Sequence, residues 1–206
     1  MSGLFITMEG TDGAGKSTQL TLLKDYLEKK GFNVVFVREP GGTKISEKIR
    51  EIILDIENKE MHYMTEALLY ASSRAQLVNE IIVPKLKKGD IVICDRFVDS
   101  SIVYQGIGRN IGTEVIKKIN NIATGGLIPD ITFFLDLSPE KAIERKKEQK
   151  QLDRIESEKD YFYKKVYNGY KTLIKQNSER IKVIDATLSI EEIHAKIIKY
   201  IEQLFI

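Results

Sequence analysis

The chain has 206 residues, 42% hydrophobic and 30% charged, the balance of a soluble globular domain long enough for a proper core. Its 32 Lys and Arg offset 30 Asp and Glu, a net charge of +2. That near balance excludes a global electrostatic footprint for DNA or RNA, so any anion site must be local. One cysteine, Cys94, excludes an internal disulfide and sits in an apolar run, as a buried small hydrophobe would.

No apolar run approaches a membrane span, and no signal-peptide pattern opens the chain. The expectation is a cytoplasmic protein with no membrane or nucleic-acid partner. In chain order, the first element is a buried strand, Leu4–Met8. The stretch Gly10-Thr11-Asp12-Gly13-Ala14-Gly15-Lys16-Ser17 follows it and fits G-x-x-x-x-G-K-[ST]. A helix is predicted from Ser17 to Lys30, with Leu20, Leu23 and Leu27 as its apolar stripe and Gly31 as its C-terminal cap. A strand, a glycine loop and a helix in that order are what a phosphate-binding P-loop requires. Glycines let the backbone wrap a phosphate chain, N–H groups point inward, and the helix N-terminus adds its positive end. Lys16 would reach the β- and γ-phosphates and Ser17 would offer its hydroxyl to Mg²⁺. Residues 10 to 18, ending at Thr18, are therefore the candidate site for a nucleoside triphosphate. The alternative is a glycine-rich turn that merely starts a helix.

Four further apolar runs read as strands: Asn33–Val37, Ile91–Cys94, Ile131–Leu135 and Ile181–Ile184. They lack alternation, so all are expected to be buried on both faces. Helical periods lie between them, including Ala67–Leu86 with Pro84 near its end and a last helix marked by Ile190, Ile193, Ile197 and Ile201. Strands alternating with helices predict a doubly wound α/β fold with a five-stranded parallel sheet and helices on both faces. Ligands in such sheets bind at the carboxyl ends of the strands, so polar motifs just after the runs are the functional candidates.

Arg38-Glu39-Pro40-Gly41-Gly42-Thr43 follows the second strand, either a plain tight turn or a site where Arg38 meets a ligand. Arg50 lies on the next helix. Arg74 and Gln76 sit on a long helix, where an arginine is usually solvated or paired. Asp95-Arg96 follows the third strand: Asp95 could orient water on Mg²⁺ and Arg96 could bind phosphate with its planar fork, unless the two form a surface ion pair. Ser101, Tyr104 and Gln105 have i, i+3, i+4 spacing and can share one helix face, able to read a base edge and a sugar or simply amphipathic. Gly106 to Gly112 reads as a flexible loop. Residues 144 to 160 are charge-dense, open to two readings: a solvated helix face, which composition favours, and a lid that closes over phosphates.

Together these strings resemble bacterial thymidylate kinases nearly end to end. The resemblance is carried by Glu9–Ser17, Arg38–Thr43, Leu68–Gln76, Asp95–Gly106 and Leu152-Asp153-Arg154. It implies a single P-loop NTPase domain with a lid near 144–160, ATP as phosphoryl donor, Mg²⁺, thymidine monophosphate (dTMP) as acceptor and a homodimer. It further implies that Arg74 hydrogen-bonds the thymine and Tyr70 stacks on it, with Ser101 and Gln105 near the base edge. Tyr104 would lie beneath the sugar, Asp12 near the sugar hydroxyl, and Arg38, Arg96 and Arg50 around the acceptor phosphate. Asp185-Ala186-Thr187 would contact adenine through backbone. Some relatives carry a catalytic arginine in the P-loop, where this chain has Gly13. That assigns the cation to the lid, with Arg145 and Arg154 as candidates beside Lys146, Lys147, Lys150 and Gln151, and with Arg154 favoured. Two rivals remain at this point: a kinase for another nucleoside monophosphate, and a P-loop switch protein.

Overall fold

The computed structural model describes residues 3–146, 153–155, 158 and 160–205. The predicted strands form as β1 (Phe5–Glu9), β2 (Val34–Arg38), β3 (Ile91–Asp95), β4 (Ile131–Asp136) and β5 (Ile181–Asp185). All pair in parallel, in the order β2-β3-β1-β4-β5. Strand order reverses around β1, which puts the carboxyl ends of β1 and β3 at the crevice where such folds bind ligands. Two strands depart from the expected double burial. β2 and β5 are the sheet edges, and Phe36 and Val183 are exposed on them. An apolar run cannot by itself reveal its place in the sheet, because an edge strand has a neighbour on one side only.

One face of the sheet carries α1 (Lys16–Lys29) and α9 (Ile190–Gln203). Leu20, Leu23 and Leu27 meet Ile193, Ile197 and Ile201 there, over Ile6, Met8 and Phe133. Each such side chain contributes roughly 1.5–3 kcal/mol by leaving water. The other face carries α2 (Lys44–Leu54), α3 (Tyr63–Leu77), α4 (Val83–Lys87), α5 (Val98–Ser101), α6 (Thr113–Thr124) and α8 (Asp160–Gln176). α7 (Pro139–Lys146) leads into the charge-dense segment. Lys147, Lys150, Gln151 and Leu152 lie outside the described residues, as does the side chain of Lys146. No helix among the described residues is long and apolar enough to cross a membrane.

Two helical stretches are not regular. The predicted Ala67–Leu86 helix is α3 and α4 joined by a π-helical segment, Val78–Ile82. Pro84, which has no N–H to donate, is the second residue of α4, and the wider turn before it carries the chain past it. The expected flexible loop at Gly106 is also corrected: Ile102–Gly108 is a second π-helical segment continuing α5, and the chain leaves it only at Arg109. Gly108 serves close packing here. A Cβ on it would stand 2.6 Å from the Phe162 ring.

Candidate active site

The phosphate loop owes its shape to where it lies. A Cβ on Gly10 would meet the Leu135 carbonyl of β4 at 2.8 Å, so only glycine lets the loop cross the sheet end this closely. Gly15 precedes α1 in a left-handed conformation with no side-chain cap on the first turn. By contrast, Thr43 caps α2 and a Ser189–Glu192 capping box closes α9. The open amides of a 14-residue helix therefore face the cavity as an anion site. Lys16 is buried beneath them, donating from Nζ to the carbonyls of Gly10 and Thr11 at 3.2 and 3.3 Å. Burial and then the Arg96 charge push its pKa down.

A cavity of about 500 Å³ opens from this loop across the ends of β1, β2 and β3. Asp12, Gly13, Gly15, Lys16, Ser17 and Thr18 line one end. Arg38, Arg50, Tyr70, Arg74, Asp95, Arg96, Ser101, Tyr104 and Gln105 line the rest. Residues scattered over the first half of the chain thus meet in one place. Gly10, Thr11 and Ala14 support the loop from outside the cavity wall.

Three arginines converge on its middle. Arg96 donates to Asp12 at 2.7 Å, lies 5.4 Å from the Tyr104 ring and adopts φ 66°, a left-handed conformation rare for a side chain of this size. The local structure imposes it. The Arg96 amide is held by the Met8 carbonyl at 3.0 Å, and the next amide, Phe97, by Glu9 Oε1 at 2.8 Å. Burial works against the Arg96 charge, but Tyr104, Asp12, Tyr170 and Asp95 outweigh it and hold its pKa well above the ordinary value. Arg38 and Arg50 both donate to the Pro40 carbonyl, at 3.0 and 2.8 Å. Burial, then the charge of Arg38, lower the pKa of Arg50. Like charges drawn this close are the electrostatic setting an anion would relieve.

At the far end, Arg74 takes the paired state of the two expected for a helical arginine, and it is buried. It is 1% exposed. It donates to Glu39 at 2.8 and 2.5 Å, to Asn120 at 2.5 Å and to the Phe97 carbonyl at 3.3 Å. Burial raises the Glu39 carboxyl to about 7 despite that pairing. The Ser101 hydroxyl is buried and has no hydrogen-bond partner among the described residues, and the Tyr104 phenol is buried beside Arg96. Burial lifts the Tyr104 phenol to about 12. Tyr70 is half-buried beside them, its phenol pushed up by burial and the Glu66 charge.

Among the described residues Asp95 Oδ1 is buried without a hydrogen-bond partner, and Ser17 lines the same cavity. These hard oxygens fit Mg²⁺. Among the described residues no group of three or more His, Cys, Asp or Glu could hold a metal alone, so waters and phosphate oxygens would complete its shell.

The two arginines of the expected lid part company. Arg145 donates to the carbonyls of Gly13 and Ala186, at 3.4 and 3.1 Å, spanning the phosphate loop and the turn after β5. Arg154 is held by α2 and α3. Its Nε donates to the Ile53 carbonyl at 2.7 Å and its Nη2 lies 2.8 Å from Glu66 Oε2. Sequence reasoning missed Glu9, Glu39, Glu66 and Arg109 as supports. Glu9 and Glu39 stand inside the quoted strings, next to candidates. Glu66 carries no local signal, since a glutamate on a helix is ordinarily solvated.

A five-stranded parallel sheet, an uncapped phosphate loop and an adjoining pocket of arginines define a P-loop phosphotransferase. The family model "Thymidylate kinase" matches residues 8–197. The chain is 52% identical over 200 residues to a thymidylate kinase of an Exiguobacterium species, covering 97% of this chain and 94% of that one. It is 51% identical over 203 residues to that of Caldanaerobacter subterraneus, covering 98% and 97%. The crystal structure of thymidylate kinase from Ehrlichia chaffeensis superposes with a TM-score of 0.79 at 34% identity, covering 98% and 99% of the two chains. The chain belongs to the thymidylate kinase family.

Proposed function

We propose that this chain transfers the γ-phosphoryl group of ATP to dTMP, giving dTDP and ADP. The observation that carries it is the convergence of Arg38, Arg50 and Arg96 beside the open amides of α1 in one cavity. An oxygen of the dTMP phosphate attacks the γ-phosphorus while the bond to the β-bridging oxygen breaks. The protein's task is alignment and cancellation of charge between two polyanions. Lys16 and Arg96 supply fixed positive charge on the donor and acceptor sides. Ser17 and Asp95 would hold Mg²⁺, which when bound shields the β- and γ-oxygens. Arg74 donates to the base, Tyr70 stacks on it, and Tyr104 closes the floor under the sugar, disfavouring a 2′-hydroxyl. The whole chain reads as one kinase unit with a lid near 144–160, acting in the cytoplasm. A homodimer fits the exposed Ile45, Ile52, Leu68, Val115 and Ile122 of α2, α3 and α6, and the mass of the purified chain by light scattering tests it.

A panel of nucleoside monophosphates with ATP and Mg²⁺ tests the reaction. dTMP should be turned over best. Better turnover of UMP or dCMP would end the thymidylate reading, and no ADP with any acceptor would end the kinase reading.

Arg154 is reassigned in this proposal. Turned to Glu66, it supports the acceptor end, while Arg145 clasps the donor nucleoside between the P-loop and residues 185–187. Arg145→Ala should raise KM for ATP about tenfold, the loss of one charged hydrogen-bonding group. Arg154→Ala should raise KM for dTMP and lower Tm, because a buried carboxylate loses one of its guanidiniums. A hundredfold fall in kcat with unchanged KM for dTMP in Arg154→Ala would return the residue to the phosphoryl group.

A further inference from the structure

Glu66 lies outside the cavity and is fully buried. Its carboxylate gathers two hydrogen-bonding side chains and a second guanidinium. Gln105 Nε2 donates to Oε1 at 2.9 Å. Arg109 donates from Nε to Oε1 and from Nη2 to Oε2, each at 3.1 Å, and Arg154 Nη2 stands 2.8 Å from Oε2. Arg109 is itself fixed, its guanidinium 4.8 Å from the Tyr63 ring and 4.7 Å from the Phe162 ring, with Glu158 on its far nitrogen. The hub is therefore built from α3, the end of the second π-helical segment and residues 154 and 158.

A carboxylate between two guanidiniums accepts hydrogen bonds and donates none. The Gln105 amide must therefore turn its nitrogen to Glu66. A flipped amide would set two acceptors face to face. Gln105 lines the cavity, and among the described residues its Oε1 has no protein partner. The amide oxygen is what remains for a ligand.

We propose that Glu66 is a specificity-positioning residue: it locks the Gln105 amide so that its oxygen faces the acceptor base and selects a pyrimidine bearing N3–H over cytosine. Thymine and uracil carry a proton on N3 and satisfy that oxygen. Cytosine N3 carries a lone pair and leaves two acceptors opposed, the situation in which a buried polar site rejects a ligand most strongly. The inference rests on the acceptor reading above and names how that site tells bases apart. It also gives the buried guanidiniums of Arg109 and Arg154 a shared partner.

The test is Glu66→Gln, which keeps the size but offers both donor and acceptor, freeing Gln105 to flip. The ratio of kcat/KM for dCMP to that for dTMP should rise at least tenfold. Damage to the fold alone would lower both values together and leave the ratio unmoved. In a Gln105→Ala background the same substitution should no longer change the ratio. Should Glu66→Gln fail to fold, the wild-type protein supplies a second measurement. dTMP methylated at N3 should bind at least tenfold more weakly than dTMP by calorimetry, and Gln105→Ala should abolish that difference. An unchanged ratio in folded Glu66→Gln, or an N3-methyl penalty that survives Gln105→Ala, overturns the inference. A wild-type enzyme that does not prefer dTMP overturns the acceptor reading itself, a distinct outcome.

Discussion

Replacing Arg96 by alanine is expected to lower kcat/KM for dTMP on the order of a thousandfold. A preorganised donor aimed at developing charge is worth roughly 10²–10³ in rate when removed. Arg96 is also fixed before the substrate arrives: Asp12 holds Nη2 at 2.7 Å, and the Met8 carbonyl and Glu9 set the backbone around it. Its charge therefore costs little reorganisation when two phosphates meet beside it. The left-handed φ of 66° provides a control. Glycine accepts that conformation without penalty, so Arg96→Gly should be as inactive as Arg96→Ala yet more stable, by up to about 1 kcal/mol in chemical denaturation. Steady-state assays with varied dTMP and fixed ATP read the first effect. A value within threefold of wild type would remove Arg96 from the reaction. Arg96→Lys should recover only part of the loss, because an ammonium lacks the bidentate fork.

Replacing Arg74 by methionine should be costly twice over. On the proposed reading the base loses a donor, and Glu39, only 6% exposed, loses its partner. Stranding a buried carboxylate costs about 3–5 kcal/mol when it stays ionised. It need not stay ionised. Burial already lifts its carboxyl to about 7 with Arg74 present, and the arginine acts to lower it. A folded-state pKa raised above the unfolded value of 4.5 means that the native state binds more protons through that window. Stability from this group is full below pH 4.5 and fades as pH rises through 7. Without Arg74 the folded pKa rises further, so the penalty in Arg74→Met should be largest at pH 8 and shrink toward pH 6. Denaturation of both proteins at the two pH values measures this. A penalty independent of pH would mean that the cost is lost packing and not a stranded charge.

Much of this site could be read before any coordinates. Polar strings that directly follow apolar runs fall at the carboxyl ends of strands, and the order of alternating strands and helices brings those ends together. Arg38, Asp95 and Arg96 were legible for that reason. Arg74 was visible only through resemblance, because a helical arginine gives no hint of the Glu39 and Asn120 side chains that bury it. Glu66 was not legible at all. Its partners Gln105, Arg109 and Arg154 stand 39, 43 and 88 positions further along, and only the packing of α3 against the second π-helical segment and the lid makes them neighbours.

What the amino-acid sequence determined by itself is local: the phosphate loop, whose glycines, lysine and serine are contiguous, and the strand and helix periods that frame it. What only the tertiary structure decided is pairing across distance. It placed β2 and β5 at the sheet edges, turned Arg154 toward Glu66 while Arg145 took the phosphate loop, and gave the Gln105 amide a direction. The physical reason is the range of the forces involved. Backbone conformation and hydrophobic period act over a few residues, whereas a buried charge is satisfied by whichever partner the packed core brings to it.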